Sequence, residues 1–221
     1  MKTAKASKLS DWSIEGAISE VYLMDCVEAM KQYPDKHFSL AVCDPPYGIN
    51  INHNMGRRKG DKPSGYKKAY WDNETPSEKY FKELFRVSEN QIIWGGNYFT
   101  DYLNPSSCWL LWDKMFSEDV TFAQYEMAWT SFNTSAKKFT KHPNQLNRIH
   151  ATQKPVALYD WIFKNYAKEG DLILDTHLGS GSSRIAANKA NLDFIGFEID
   201  EDYFNDSDKR FYQHVRQLTL F

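Results

Sequence analysis

Short apolar runs alternate along this chain with polar stretches of helical length. Glu20–Leu23 and Phe38–Cys43 (FSLAVC) read as strands, with a helix over about Val27 to Gln32 between them. The Phe38 run must stop at Asp44-Pro45-Pro46-Tyr47, because two successive prolines cannot continue a hydrogen-bonded ladder. Ser77–Val87 has apolar residues at helical spacing. Gln91–Trp94, Cys108–Trp112 and Tyr125–Ser131 read as buried strands. Farther on, Pro155–Tyr166 predicts a helix with proline in its first turn, Asp171–Leu174 a strand, Ser182–Ala190 a helix and Asp193–Glu198 a strand. Residues 1–18 are polar and specify little. Residues 49–72 hold Arg57, Arg58, Lys59, Lys62, Lys67 and Lys68 among Gly, Asn and Ser, and read as a long mobile basic loop. Residues 133–150 are also polar and basic, with Lys137, Lys138, Lys141, His142 and Arg148.

Strands alternating with helices predict an α/β fold, a doubly wound, mostly parallel sheet covered on both faces. In such sheets ligands bind at the carboxyl ends of the strands. The two most unusual motifs of the chain both fall at that position.

Composition narrows the partner classes. The chain has 221 residues, 42% hydrophobic and 25% charged, as expected for one soluble domain over 1–221. A net charge of -2 means that any nucleic-acid surface must be a local basic patch. Aromatic residues reach 15%, which suits either base-stacking platforms or a dense core; composition alone favours the core. Cys26, Cys43 and Cys108 fit no zinc spacing and no closed disulfide set, so they are expected as isolated thiols with no metal site. No signal peptide or membrane-length apolar run is visible, and a cytoplasmic location is expected.

Leu172-Ile-Leu-Asp175-Thr-His-Leu-Gly179-Ser180-Gly181-Ser182-Ser is a strand, a glycine-rich turn and a helix start. The glycines permit positive φ and close backbone approach to a ligand. The free amides of the helix start favour an anionic group. Phe194–Glu198 follows as the next strand, and Glu198 closes it where nucleotide-binding folds place an acid on ribose hydroxyls. No Gly-Lys-Ser/Thr follows, which excludes a phosphate-cradling P-loop.

Asp44-Pro45-Pro46-Tyr47 supplies a different chemistry. An exocyclic aromatic amine is a poor nucleophile because its lone pair is delocalised into the ring. Two acceptors aimed at its hydrogens would localise that pair. The Asp44 carboxylate and the Pro45 carbonyl can serve, with the Pro45-Pro46 pair restricting the backbone. Tyr47 can stack on a base turned out of a duplex.

On these residues the chain resembles the DNA amino-methyltransferases of the permuted β group, in which an Asp-Pro-Pro-Tyr motif precedes the cofactor motif. The resemblance runs from about Val21 to Asp208. It implies a Rossmann-like methyltransferase fold, S-adenosylmethionine as methyl donor, and DNA with a flipped-out base as substrate. Asp44, Pro45, Pro46 and Tyr47 become the catalytic set. Asp25 and Cys26 in Val21–Met30, Thr152 and Lys154 in His150–Pro155, then Asp175, Gly179, Ser180, Gly181, Ser182 and Glu198 become donor-binding residues, with Asp44 shared between both sets. Ile92–Phe99 and Trp109–Lys114 resemble the intervening family strands and their ends. An initial Asp in the tetrapeptide leans toward adenine N6 over cytosine N4. One departure is Asp175-Thr176-His177, where the family usually has Asp-Pro-Phe. Arg57, Arg58, Lys59, Lys137 and Lys138 are the expected DNA contacts, and 114–150 the expected short target-recognition insert.

Protein glutamine methylation, RNA adenine methylation and a catalytically inactive nucleic-acid-binding module are the rival readings. No nuclease motif is present, so a solitary methylase and a restriction-modification partner of a separate nuclease both remain open, as do monomer and homodimer. The last five residues, Gln217-Leu218-Thr219-Leu220-Phe221, resemble the short peptide by which bacterial replication proteins engage the sliding clamp; a helix or strand end packed on its own core is the alternative.

Overall fold

The computed structural model describes residues 5–8, 17–49, 72–117, 123–143, 148–149 and 152–218, with residues 5–8 and Leu218 described by backbone alone. In chain order the elements are β1 (Lys5–Lys8), β2 (Ser19–Leu23), α1 (Cys26–Met30), β3 (Phe38–Cys43), α2 (Glu78–Val87), β4 (Ser88–Trp94), β5 (Trp109–Asp113), β6 (Tyr125–Thr130), β7 (Lys137–Thr140), α3 (Val156–Tyr166), β8 (Leu172–Asp175), α4 (Ser182–Lys189), β9 (Asp193–Glu198) and α5 (Glu201–Leu218). A 3-10 turn, Gly96–Tyr98, follows β4.

All strands join one sheet in the order β1-β2-β9-β8-β3-β4-β6-β5-β7. The centre, β2-β9-β8-β3-β4, is parallel. β1 and β6 run antiparallel to their neighbours, while β5 and β7 pair in parallel. The sequence expectation of a mostly parallel α/β sheet is therefore met, with an antiparallel strand set into one wing.

Alternation along each strand decides which face a side chain serves. Leu40 and Val42 of β3 join Ile92, Ile173 and Phe194 in a core roofed by Leu158 and Ile162 of α3, Ala186 and Ala187 of α4 and Phe204 of α5. Ala41 and Cys43 point the other way and meet Ile93, Leu174 and Phe197 under Met30 of α1 and Leu84 of α2. Both faces are covered, which is why the central strands are almost uninterrupted apolar runs.

Winding fixes the site. From β3 the chain passes through α2 to β4 on one side; from β8 it passes through α4 to β9 on the other. Direction reverses at the β3–β8 seam, and a doubly wound sheet takes its ligands in the crevice beyond the carboxyl ends of the strands at such a reversal.

Three elements were not anticipated. β1 forms in the polar start and β7 in the basic stretch 133–150. In both, charged residues line an edge strand, a pattern that suppresses pairing with other chains and hides the strand signal. α5 covers residues 201–218. Phe204, Ser207, Phe211 and Val215 form its buried stripe among many charges. Gln217 and Leu218 are its last residues, so that part of the terminal five is helical, while Thr219–Phe221 lie outside the described residues. Of 114–150, residues 125–130 and 137–140 are sheet strands. No helix among the described residues is long and apolar enough to cross a membrane.

Arg184 clamps α5 to the sheet. Its side chain is fully buried, donates to Asp208 of α5 (2.8 Å) and to the Ser19 hydroxyl (3.0 Å), and lies 3.9 Å over the Phe211 ring. Burial lowers the guanidinium from its ordinary value, and Asp208 opposes the shift. Arg184→Ala should cost about 3 kcal/mol, since one half of a desolvated pair is removed and the cation–π contact goes with it. Chemical denaturation at neutral pH measures this, and proteolysis should open the chain first near α5.

Candidate active site

β3 delivers Asp44 to the crevice, and Pro45-Pro46 then turns the chain out of the sheet. The amides of Tyr47 and Gly48 both donate to one carboxylate oxygen of Asp72 (2.7 and 3.1 Å), which fixes the exit of the motif. The Tyr47 ring rests on the backbone of Gly95 and stacks on Tyr98, centroids 5.1 Å apart at 17°. Gly95 has φ 71°, and a Cβ there would stand 2.2 Å from the Tyr47 ring. Tyr98 is 45% exposed, so the stacked pair reaches from the crevice floor to its rim.

Asp44 is held on both oxygens. The Tyr47 hydroxyl donates to Oδ1 (2.6 Å), and the Lys154 ammonium binds Oδ2 (2.5 Å). Lys154 comes from the run before α3, and its side chain is 3% exposed. Its ammonium also lies 3.2 Å from the Tyr47 hydroxyl, 3.0 Å from Glu126 Oε2 and 5.3 Å over the Trp94 ring. Glu126 opens β6, and Oε1 of its carboxylate binds Lys114 (2.5 Å), which follows β5. Four charges, two of each sign, therefore meet at the carboxyl edge. Burial would raise the Glu126 carboxyl, but Lys154 and Lys114 outweigh it and hold it at about 2. Burial would lower Lys154, and Asp44 and Glu126 outweigh that to raise it. Tyr47 is pushed well above its ordinary value, by burial first and by the Asp44 charge second.

Beyond the seam, Asp175 closes β8. Ser183 donates to its Oδ2 (2.5 Å) and the His177 amide to its Oδ1 (3.0 Å). Burial dominates and lifts Asp175 to about 7, with the Asp44 and Glu198 charges adding to the rise. Gly179 (φ 51°) and Gly181 (φ 69°) make the left-handed turn that the sequence anticipates. Glu198, at the end of β9, accepts the Gly179 amide (2.8 Å) on one oxygen and the Ile199 and Asp200 amides on the other. Asp25, just after β2, caps α1 by accepting the Glu28 amide (3.0 Å) on Oδ1. Cys26 is the first residue of α1, and burial pushes its thiol up, with the Asp25 charge adding to it. The Ser182 hydroxyl donates to the Lys154 carbonyl (2.8 Å) and ties the glycine-rich turn to the lysine segment. Arg210 of α5 reinforces the join by donating to the Ser180 carbonyl (2.6 Å) and the Ser182 hydroxyl (2.9 Å).

Known proteins are similar to the chain over most of its length. A DNA methylase family model matches residues 101–209, a span that holds Lys154, the glycine-rich turn and Glu198. The type II methyltransferase M.HinfI of Haemophilus influenzae is 23% identical over 90% of this chain and 69% of its own. The type II methyltransferase M2.MboI of Moraxella bovis is 22% identical, covering 87% of each. Among solved structures, the M1.HpyAVI-SAM complex superposes with a TM-score of 0.58 at 16% identity, over 86% of this chain and 97% of that one. The cytosine-N4-specific PvuII DNA methyltransferase superposes at 0.59 and 11% identity, over 91% and 93%. Over these spans the chain is similar to DNA amino-methyltransferases.

The departure at Thr176-His177 from the pattern that the chain resembles has a clear structural setting. Thr176 Oγ1 bonds Tyr80 of α2 (2.8 Å) and His177 Nδ1 (2.9 Å), and the His177 ring meets Tyr80 edge to face. The imidazole is half-buried, and desolvation drops it from 6.5 to about 4, so it is an uncharged ring at neutral pH. An aromatic thus does stand at this position.

Of the expected DNA contacts, Lys137 and Lys138 lie among the described residues. Lys137 and Lys138 are exposed neighbours on the outermost strand, so alternation sends them to opposite faces. Lys137 donates to Asn165, and Lys138 pairs with Asp113 (3.4 Å). Arg57, Arg58 and Lys59 lie outside the described residues, as does most of the basic loop 49–72. Thr152 is partly buried, two residues before Lys154.

Glu126, Asp72, Gly95 and Arg210 were missed. For three of them the signals were present: an acid inside the apolar run Tyr125–Thr130, an acid closing the basic loop, and paired glycines after a strand; Arg210 sits among the charges that hide its helix.

Two outcomes follow. Gly95→Ala forces the Tyr47 ring out of its place, and methyl transfer should fall on the order of 100-fold while donor affinity stays within about twofold. Single-turnover kinetics and calorimetry separate the two. For His177 the folded state lowers the pKa of a base, so its contribution to stability is whole above pH 6.5 and is lost as pH falls toward 4. Thermal melts of the wild type should therefore drop relative to His177→Phe across that interval and run parallel to it above pH 7.

Proposed function

We propose that the chain methylates N6 of adenine in DNA, with S-adenosylmethionine as donor and the target base turned out of the duplex. The observation that carries this reading is the seam itself: Asp44-Pro45-Pro46-Tyr47 at the end of β3 beside Asp175 and the glycine-rich turn at the end of β8. The SAM complex of M1.HpyAVI, a protein of the same fold, supports the choice of donor.

The residues present fit that donor. Asp25, Asp175 and Glu198 stand at the ends of adjacent strands β2, β8 and β9, and carboxylates suit a ligand rich in hydroxyl and amino hydrogens. Asp25 has a second oxygen with no partner among the described residues, and Glu198, although engaged with three amides, retains lone pairs for ribose hydroxyls. Ser180, Gly181 and Ser182 line the turn that would lie along the amino-acid part, with Thr152 and Lys154 beside it. When bound, S-adenosylmethionine supplies an electrophilic methyl group. Asp44 and the Pro45 carbonyl accept the two amine hydrogens and turn the nitrogen lone pair toward that methyl. Tyr47, already stacked on Tyr98, offers an aromatic wall for the flipped base. Placement supplies most of the rate, since the reacting atoms are held in line.

Adenine is favoured over cytosine by the Asp that opens the tetrapeptide. Base-modification sequencing of DNA from cells expressing the protein reads base and site together. N6-methyladenine at a recurring sequence is expected; N4-methylcytosine would overturn the choice of base, and unmodified DNA the whole reading. Asp44→Ala should abolish the modification while calorimetry still detects the donor. Tyr47→Ala should weaken base stacking by roughly 1–3 kcal/mol, and Tyr47→Phe much less.

A further inference from the structure

Asp44 is occupied. The reading above requires its carboxylate to accept a hydrogen from the target amine, yet Oδ1 holds the Tyr47 hydroxyl and Oδ2 holds Lys154 at 2.5 Å. A buried ammonium cannot simply leave, because an unpaired charge at 3% exposure is costly. It needs another carboxylate within reach. Glu126 Oε2 lies 3.0 Å from the ammonium. That oxygen is shielded from solvent and forms no well-directed hydrogen bond, although its sister Oε1 is firmly bound to Lys114 at 2.5 Å. Lys154 is thus closer to Asp44, at 2.5 Å, and has a second carboxylate oxygen within 3.0 Å.

We propose that Glu126 is a positioning residue for methyl transfer: it receives the Lys154 ammonium when the target amine arrives and so releases Asp44 Oδ2 to bind that amine. The inference rests on the amine-methylation reading. Only hydrogen bonds change; no covalent bond forms or breaks in the exchange. The cluster of Asp44, Glu126, Lys154 and Lys114 stays neutral throughout, so no counter-charge has to enter the crevice. Lys114 keeps Glu126 ionised and anchors it from the far side, so Glu126 is a fixed acceptor and Lys154 the moving part. Tyr47, 3.2 Å from the ammonium in its present seat, stays on Oδ1 and keeps the carboxylate from rotating. The other buried orphan at this edge, the Trp94 indole N–H, belongs to the ring that the Lys154 ammonium overlies.

The test uses the full chain, S-adenosylmethionine and a duplex carrying the site found by sequencing. Glu126→Gln keeps the shape and removes the charge that attracts Lys154. Its single-turnover rate should fall on the order of 100-fold, with donor affinity by calorimetry and base flipping by 2-aminopurine fluorescence both within about threefold. Glu126→Asp, which keeps the charge, should recover most of the rate. A Glu126→Gln rate within threefold of wild type overturns the proposal. So does a parallel loss of donor affinity, or a folded Glu126→Asp as slow as Glu126→Gln, because a purely structural acid behaves in those ways. Should Glu126→Gln fail to fold, the wild type decides. In its complex with S-adenosylhomocysteine and the target duplex, Lys154 on Glu126 supports the exchange and Lys154 still on Asp44 excludes it. A wild type that methylates no DNA would instead indict the functional reading on which the proposal stands.

Discussion

Two carboxylates at neighbouring strand ends set the terms for the rest of this molecule. Asp44 and Asp175 meet where the sheet reverses direction, in a crevice dry enough to lift Asp175 to about 7. Repulsion and desolvation both oppose that arrangement. The fold answers with local partners on each side. Lys154 and the Tyr47 hydroxyl neutralise and bind Asp44, while Ser183 and the His177 amide satisfy Asp175. The cation then needs its own support, which Glu126 and Lys114 provide from the antiparallel wing. A requirement at the centre of the sheet thus reaches strands far from it in sequence.

The same logic explains why the C-terminal helix matters to a site it does not line with carboxylates. Arg210 holds the glycine-rich turn through the Ser180 carbonyl and the Ser182 hydroxyl, and Ser182 in turn holds the backbone of Lys154. Arg184 fastens that helix to β2. The lysine at the centre of the charge cluster is therefore placed by two links that begin on α5. Side chains locked by such outer contacts can be placed to a fraction of an ångström, as transfer chemistry demands.

Much of the sheet was legible in the sequence because its central strands are buried on both faces and so appear as unbroken apolar runs. Phe38–Cys43 and Asp193–Glu198 are reproduced to the residue. The acids that close strands were legible for the same reason, since a charge that ends an apolar run marks the point where the strand leaves the core. The edge strands β1 and β7 were not, because their lysines mask the pattern, and α5 was hidden by the many charges around its apolar stripe. Within the site, sequence could mark Asp44 as an acceptor but not show that it is occupied. Pairing of Lys154 with both Asp44 and Glu126 joins residues far apart in the chain, and no local pattern records it.

The antiparallel course of β6 has a further effect. Because β6 runs backwards, its first residues, not its last, stand at the working edge, directly beside the end of β5. Lys114 meets both the Gln124 carbonyl (2.9 Å) and the Glu126 carboxylate there. The connection between them accordingly leaves and returns at one pinned pair, next to the crevice. Chain inserted between two fixed points costs only loop-closure entropy, about 0.6 kcal/mol for each doubling of length. The sheet can thus carry a connection of almost any size and composition beside the carboxyl ends of its strands without a change in the position of a single charge beneath it.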